Sequence, residues 1–273
     1  MLGRSHVLWA TTATLAVAPW ASTKLGHPMD AKQVAAAAAI SGGMALANDF
    51  DQASATITRS LGPITRAISK GVRFVFGEHR GGTHNYVPYF PVSVGLLAWG
   101  FERLRTAGLE ASITGHEHGA GLSSIAAHVF AWLVTLGPAG ALIWIAYALF
   151  LWSAGPKELK RKGRIVVSLV ALGGTVLTLR YVGIGGWLPI VMAWGTVEHI
   201  LADTLTNDGC PVTPSLRRSS DGHYLKIRLP IISQTGNGME LALTGIVTVI
   251  GLFFLLHDFG MALHLPHPNL PRL

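Results

Sequence analysis

The run His79-Arg80-Gly81-Gly82-Thr83-His84-Asn85 sets two imidazoles, a guanidinium, a hydroxyl and a carboxamide beside an apolar stretch. That composition suits a metal ion and a phosphate. Neutral imidazole is the commonest metal ligand near neutral pH, and a histidine pair five apart, interrupted by two glycines, belongs on a loop rather than on one helix face. Gly81 and Gly82 would let backbone approach a ligand and offer amide hydrogens to an anion. Arg80 between them reads as a phosphate clamp or, equally, as a cationic membrane anchor. A second cluster lies in Glu198-His199-Ile200-Leu201-Ala202-Asp203. His199 and Asp203 are four apart and share a helix face, inside an apolar segment where ionisable groups are costly and point to function. The plainer reading is a His–Asp hydrogen bond that joins two helices. Asp49 and Asp51 stand on alternate positions of a non-helical exit, where a bend brings both to one cation, unless one is only a helix-end cap. Glu240 is a candidate ligand, base or helix N-terminal charge. His6, unremarkable alone, reaches the same side of the membrane if the apolar segments each cross once.

These residues need a scaffold, and the composition indicates a membrane one. Of 273 residues, 50% are hydrophobic and 13% charged, with a mean hydropathy of +0.43. The net charge of +7 sits in short loops, where the positive-inside rule explains it without nucleic acid. A single cysteine, Cys210, excludes an internal disulfide and a multi-cysteine zinc site. Arg4 and His6 before an apolar run resemble a signal peptide, but His6 is better used as a ligand. Apolar segments at 7–21, 31–48, 87–101, 121–152, 165–185, 187–205 and 240–258 predict an all-α polytopic membrane bundle of about six to seven spans. The segment 121–152 contains Gly137-Pro138 and reads as one kinked helix, with a hairpin as the alternative. Gly42 and Gly43 permit close helix packing. The loop 153–164, with Lys157, Lys160, Arg161, Lys162 and Arg164 against Glu158, should face the cytoplasm. Single crossings then bring His6, 49–86 and 206–239 to that face, with 106–120 opposite. The chain is expected to be one membrane-embedded domain, with a core of 1–260 and a tail of 261–273. His116-Glu117-His118 lacks the His-Glu-x-x-His spacing of a zinc helix. His128, His257, His223, His264 and His267 read as packed or surface groups, and Gly183-Ile184-Gly185-Gly186 has no preceding strand.

Gly3-x-x-His6, Asp49-x-Asp51, His79-Arg80-Gly81-Gly82-Thr83-His84, His199-x-x-x-Asp203-x-x-Thr206-x-x-Gly209 with Pro211, and Arg228-x-Pro230 together resemble the YdjM family. That resemblance covers His6 to about Glu240. It implies an inner-membrane-associated metal-dependent hydrolase, linked to LexA regulation and distantly to zinc-dependent phospholipase C. Gln52 stands where the family often has His, and Asn85 where Ser is usual. The expectation is a bacterial inner-membrane hydrolase of phosphoester or lipid-linked substrates, its site facing the cytoplasm. His6, Asp49, Asp51, His79, His84, His199 and Asp203 would hold one or two ions, zinc first and manganese second. Arg80 would neutralise phosphoryl charge and Glu240 would act as a base. An ion- or proton-coupled transporter and a non-catalytic, metal-stapled membrane protein are the competing readings. Neither the substrate nor the oligomeric state is legible in the residues.

Overall fold

The computed structural model describes residues 1–77, 82–115, 137–161, 163–212 and 226–262. Helix α1 (Gly3–Lys24) leads to α2 (Ala31–Met44), a 3₁₀ turn (Ala47–Asp51), α3 (Thr56–Ser60), α4 (Pro63–Phe76) and the long α5 (Tyr89–Gly115). Then come α6 (Pro138–Ala154), α7 (Lys157–Arg161), α8 (Arg164–Leu177), which continues through a π turn at Thr178–Val182, α9 (Trp187–Thr204) and α10 (Gly238–Ala262). The only sheet among the described residues is a two-residue antiparallel pair, β1 (Cys210–Pro211) with β2 (Lys226–Ile227). The all-α class expected from the composition is what the chain adopts.

α2 is the centre of the bundle, in contact with α1, α6 and α9. Its start is fixed by a capping box: Asp30 accepts from the Gln33 amide at 2.8 Å while Gln33 accepts from the Asp30 amide at 3.0 Å. Its alanines and glycines make it thin enough for three neighbours to approach. A Cβ on Gly43 would lie 1.9 Å from the Ala146 carbonyl oxygen of α6, and one on Gly195 of α9 would lie 2.3 Å from the Ser41 oxygen of α2. Around these contacts pack Val7, Ile40, Met44, Phe50, Ile143, Leu149, Leu188 and Met192.

The described residues do not supply the expected six to seven spans. Two stretches among the described residues are long and apolar enough to cross a membrane, Arg164–Val182 and Gly238–His257, with Pro138–Ala154 a shorter apolar helix. Segment 31–48 ends as a helix at Met44; its 14 residues rise about 21 Å, short of the roughly 30 Å hydrocarbon core. Alanine-rich sequence scores as apolar whether its neighbour is lipid or protein, and here it is protein. The region 106–120, expected as a loop, is helical through Gly115 as part of α5. A helix begins afresh at Pro138, with Gly137 before it; residues 116–136, which would separate a kink from a hairpin, lie outside the described set, as do His116, Glu117, His118 and His128. With two candidate spans, sidedness can no longer be counted by parity. The convergence of the polar residues must come from packing, and it does.

A candidate metal centre

α9 carries the first half of the centre. Its 18 residues place His199 and Asp203 one turn apart on the face turned to the core, with His199 Nε2 3.6 Å from Asp203 Oδ2. Gly195, one turn earlier, brings this face down onto α2. That approach lets His199 Nδ1 meet the Ala45 carbonyl oxygen at 2.5 Å. A carbonyl can only accept, so Nδ1 carries the proton and Nε2 presents its lone pair inward. The C-terminal end of α9 is held by Thr206, whose hydroxyl donates to the Asp203 carbonyl at 2.7 Å. Gly209, at φ +59° and with Ile227 O 2.5 Å from where a Cβ would stand, permits the tight turn into β1.

The second half comes from the 3₁₀ turn and the loop after α4. Gly82 packs against α4 so closely that a Cβ would stand 2.6 Å from the Phe76 carbonyl oxygen, to which its amide donates at 2.9 Å. That amide is therefore spent on the protein, and Gly82 does not cradle an anion as expected. Asn48 Nδ2 donates to the Thr83 carbonyl at 2.7 Å, tying the loop to the turn. His84 is fully buried, with Nδ1 3.2 Å from Asp51 Oδ2 and 2.8 Å from Thr83 Oγ1; Thr83 Oγ1 also donates to Asp51. Asp51 thus takes the outer edge of the imidazole rather than the ligand position expected for it. A carboxylate on one nitrogen fixes the tautomer and raises the basicity of the other.

Four ligand atoms then converge. His84 Nε2 lies 3.0 Å from His199 Nε2, and each is 3.8 Å from Asp49 Oδ1. Asp203 Oδ2 is 3.9 Å from His84 Nε2 and 3.6 Å from His199 Nε2. Atoms about 2.0–2.2 Å from a four-coordinate zinc ion stand roughly 3–3.6 Å apart; the separations of 3.8 and 3.9 Å are wider, so the side chains would close in slightly around a small divalent cation. His6, on the first turn of α1, stacks flat on His199 at 3.8 Å between ring centroids. Its Nε2 is 3.3 Å from the other oxygen of Asp203, Oδ1, which also receives the Met1 amino group at 3.1 Å. His6 Nδ1 is buried without a hydrogen-bond partner among the described residues. Two overlapping groups able to hold a metal ion result, Asp49/His84/His199 and His6/His199/Asp203. They share His199, whose single inward lone pair serves one ion at a time.

The electrostatics agree with a cation site. Burial alone would lower the His84 imidazole, yet hydrogen bonds to Asp49 and Asp51 and the charges of Asp51 and Asp203 raise it to about 10. Burial would raise Asp49, but the imidazoles of His199, His84 and His6 hold it at about 2. The carboxylate charge that keeps a proton on His84 is equally available to a metal ion.

Glu240 stands apart from this cluster. It is fully buried, and its two oxygens accept from the amides of Leu2 and Gly236, each at 2.6 Å. With both oxygens held, it anchors the segment that leads into His6 rather than serving as a base. His79 and Arg80 lie outside the described residues, as do Gly81, His223, His264 and His267; His257 stacks on Phe253 along α10. What the residue pattern did not reveal is the orienting layer: the Ala45 carbonyl, Thr83 and Asn48. A backbone carbonyl leaves no mark in a sequence, although Asn48 is adjacent to Asp49 and Thr83 to His84.

A cavity of about 540 Å³ reaches the centre through Asp49. Its cations are Arg4 and Lys160, and its apolar wall includes Leu46, Ile57, Leu149 and Trp152. Lys160 Nζ is tethered to the Ser153 carbonyl at 2.8 Å. No protein-family model, curated protein or solved structure matches this chain.

Proposed function

We propose that the chain is a membrane-embedded, metal-dependent hydrolase of phosphoester or lipid-linked substrates. The observation that carries this reading is the pair of overlapping groups Asp49/His84/His199 and His6/His199/Asp203, with the His84 and His199 imidazoles oriented from behind, opening onto a cavity that pairs cations with apolar wall. One ion binds at Asp49, His84 and His199 with Asp203 beside them, zinc by the imidazole–carboxylate mix and manganese as the alternative; His6 with Asp203 Oδ1 offers a place for a second. Such an ion supplies Lewis acidity and a hydroxide nucleophile near neutral pH. Asp51 and the Ala45 carbonyl hold the imidazoles in the productive tautomer. Arg4 and Lys160 attract the phosphate, and the Trp152 and Leu149 wall accepts the apolar part of the substrate.

The membrane part of the reading is supported by α8 and α10, which turn apolar side chains outward: Ile165 is 76% exposed and Val249 69%. A water-soluble protein rarely leaves such continuous apolar faces uncovered. The basic residues at 157–164 favour the cytoplasmic face of a bacterial inner membrane for that end of α8, and the YdjM-like motifs point the same way. The test is turnover: detergent-purified protein with added zinc or manganese, screened against phosphodiester and phospholipid substrates beside the His84→Ala variant. Metal-dependent hydrolysis lost in the variant supports the reading. A metal whose removal lowers the melting temperature, with no substrate turned over by either protein, favours the metal-stapled scaffold. Gradient-coupled metal flux into vesicles favours a transporter.

A further inference from the structure

α4 has three distinct faces, and only one belongs to the protein core. Thr65, Ser69, Val72 and Phe76 recur at helical spacing and turn toward the body of the bundle. A second row, Arg66, Lys70 and Arg73, joins Arg59 around a cavity of about 400 Å³ that no carboxylate lines among the described residues. A third row, Ile64, Ala67, Gly71, Phe74 and Val75, is exposed, with Phe74 91% open and Val75 60%. Nucleic acid or a free anion would account for the cations but leaves Phe74 uncovered in water. An anionic bilayer surface accounts for both rows, because an interfacial helix sinks its apolar stripe to the headgroup–acyl boundary while its cations meet phosphates.

The position of α4 against the candidate span fits this. Leu61, just before the helix, packs with Ala148 of α6 and Ala171 of α8. A Cβ on Gly62 would stand 3.6 Å from the Arg164 guanidinium, at the basic end of the Arg164–Val182 stretch. The start of α4 therefore lies beside the end of α8 that the positive-inside rule sets at the headgroup level.

We infer that α4 is an interfacial helix whose Phe74 stripe enters the bilayer and whose Arg59, Arg66, Lys70 and Arg73 cavity binds the phosphate of anionic lipid headgroups. Since α4 runs directly into the loop that bears Thr83 and His84, this contact sets the height of the metal centre above the membrane. The inference rests on the membrane reading of α8 and not on hydrolysis.

Full-length protein carrying an environment-sensitive dye on Phe74→Cys is placed in nanodiscs of phosphatidylcholine with and without phosphatidylglycerol; native Cys210 is buried and stays unlabelled. The dye should shift to the blue and be quenched by brominated lipid rather than by a water-soluble quencher, more strongly with phosphatidylglycerol. The combined Arg66→Gln, Lys70→Gln, Arg73→Gln variant should lose roughly a hundredfold of the preference for phosphatidylglycerol, given roughly a fivefold effect per cation at an anionic surface. A dye on Leu169→Cys, on the exposed face of α8, reports the span in parallel. Lipid quenching at Leu169→Cys with water quenching at Phe74→Cys overturns the α4 inference and leaves the membrane reading standing. Water quenching at both overturns the two together. Protection of the Phe74→Cys dye by an oligonucleotide, or displacement of phosphatidylglycerol by inorganic phosphate alone, also overturns it, in favour of a nucleic-acid or free-anion site.

Discussion

The two halves of the metal centre share His199 but are built differently. On the Asp49/His84 side both imidazoles are oriented by an acceptor on the far nitrogen, Asp51 for His84 and the Ala45 carbonyl for His199. On the His6 side the far nitrogen, Nδ1, has no partner among the described residues, and the shared carboxylate is engaged by the Met1 amino group. Orientation from behind raises the basicity of a ligand and removes the entropy of its alternatives. Under the proposed function, the difference favours the Asp49/His84/His199 group as the tighter ion position and His6 as an auxiliary ligand or a second, weaker one.

That asymmetry can be broken at several points. The largest effect is expected from His199→Ala, which removes the atom common to both groups; calorimetric zinc titration should show binding weakened by well over the roughly 10–100-fold that an outer partner supplies. His84→Ala should fall close behind, while His6→Ala should weaken the same binding by only about tenfold. Equal losses for His84→Ala and His6→Ala would erase the distinction between the halves. Asp51→Asn keeps the shape of the side chain but removes the charge behind His84, and should cost about 10–100-fold in zinc affinity, with little effect if Asp51 merely packs.

The smallest and most specific effect is on pH dependence in the metal-free protein. His84 is raised from 6.5 to about 10 in the fold, so its contribution to stability is complete below pH 6.5 and disappears as pH climbs toward 10. Asp49 is depressed from 3.8 to about 2, so its contribution is complete above pH 3.8 and disappears as pH falls through about 2. Thermal unfolding of the metal-free protein should show the alkaline loss, and saturating zinc should flatten it, because the ion replaces the His84 proton. An alkaline slope unchanged by zinc would place the ion elsewhere.

The sequence made the chemistry more legible than the architecture. His199 and Asp203 were readable as one helix face because a spacing of four is a property of any α-helix, and Asp49 and His84 were readable as metal-ligand types outside the apolar helices. Residue type could not separate an atom that faces an ion from one that holds the ligand in place. Asp51 and Asp49 look alike in sequence, and only the fold sets one behind His84 and the other beside it. Glu240 shows the same limit: a lone acid in an apolar helix reads as function, whereas its oxygens hold the backbone that leads into His6. The span count failed for a different reason. Hydropathy registers what a segment avoids, not what covers it, and α2 avoids water by packing Gly43 against Ala146 and Ser41 against Gly195.

The most direct test of the metal-centre account is elemental analysis of wild-type, His84→Ala and His6→Ala proteins purified in a membrane mimic without added metal. The account predicts about one tightly held divalent ion per chain in the wild type, retained in His6→Ala and lost in His84→Ala. No stoichiometric metal in the wild type, or full retention in His84→Ala, would contradict it.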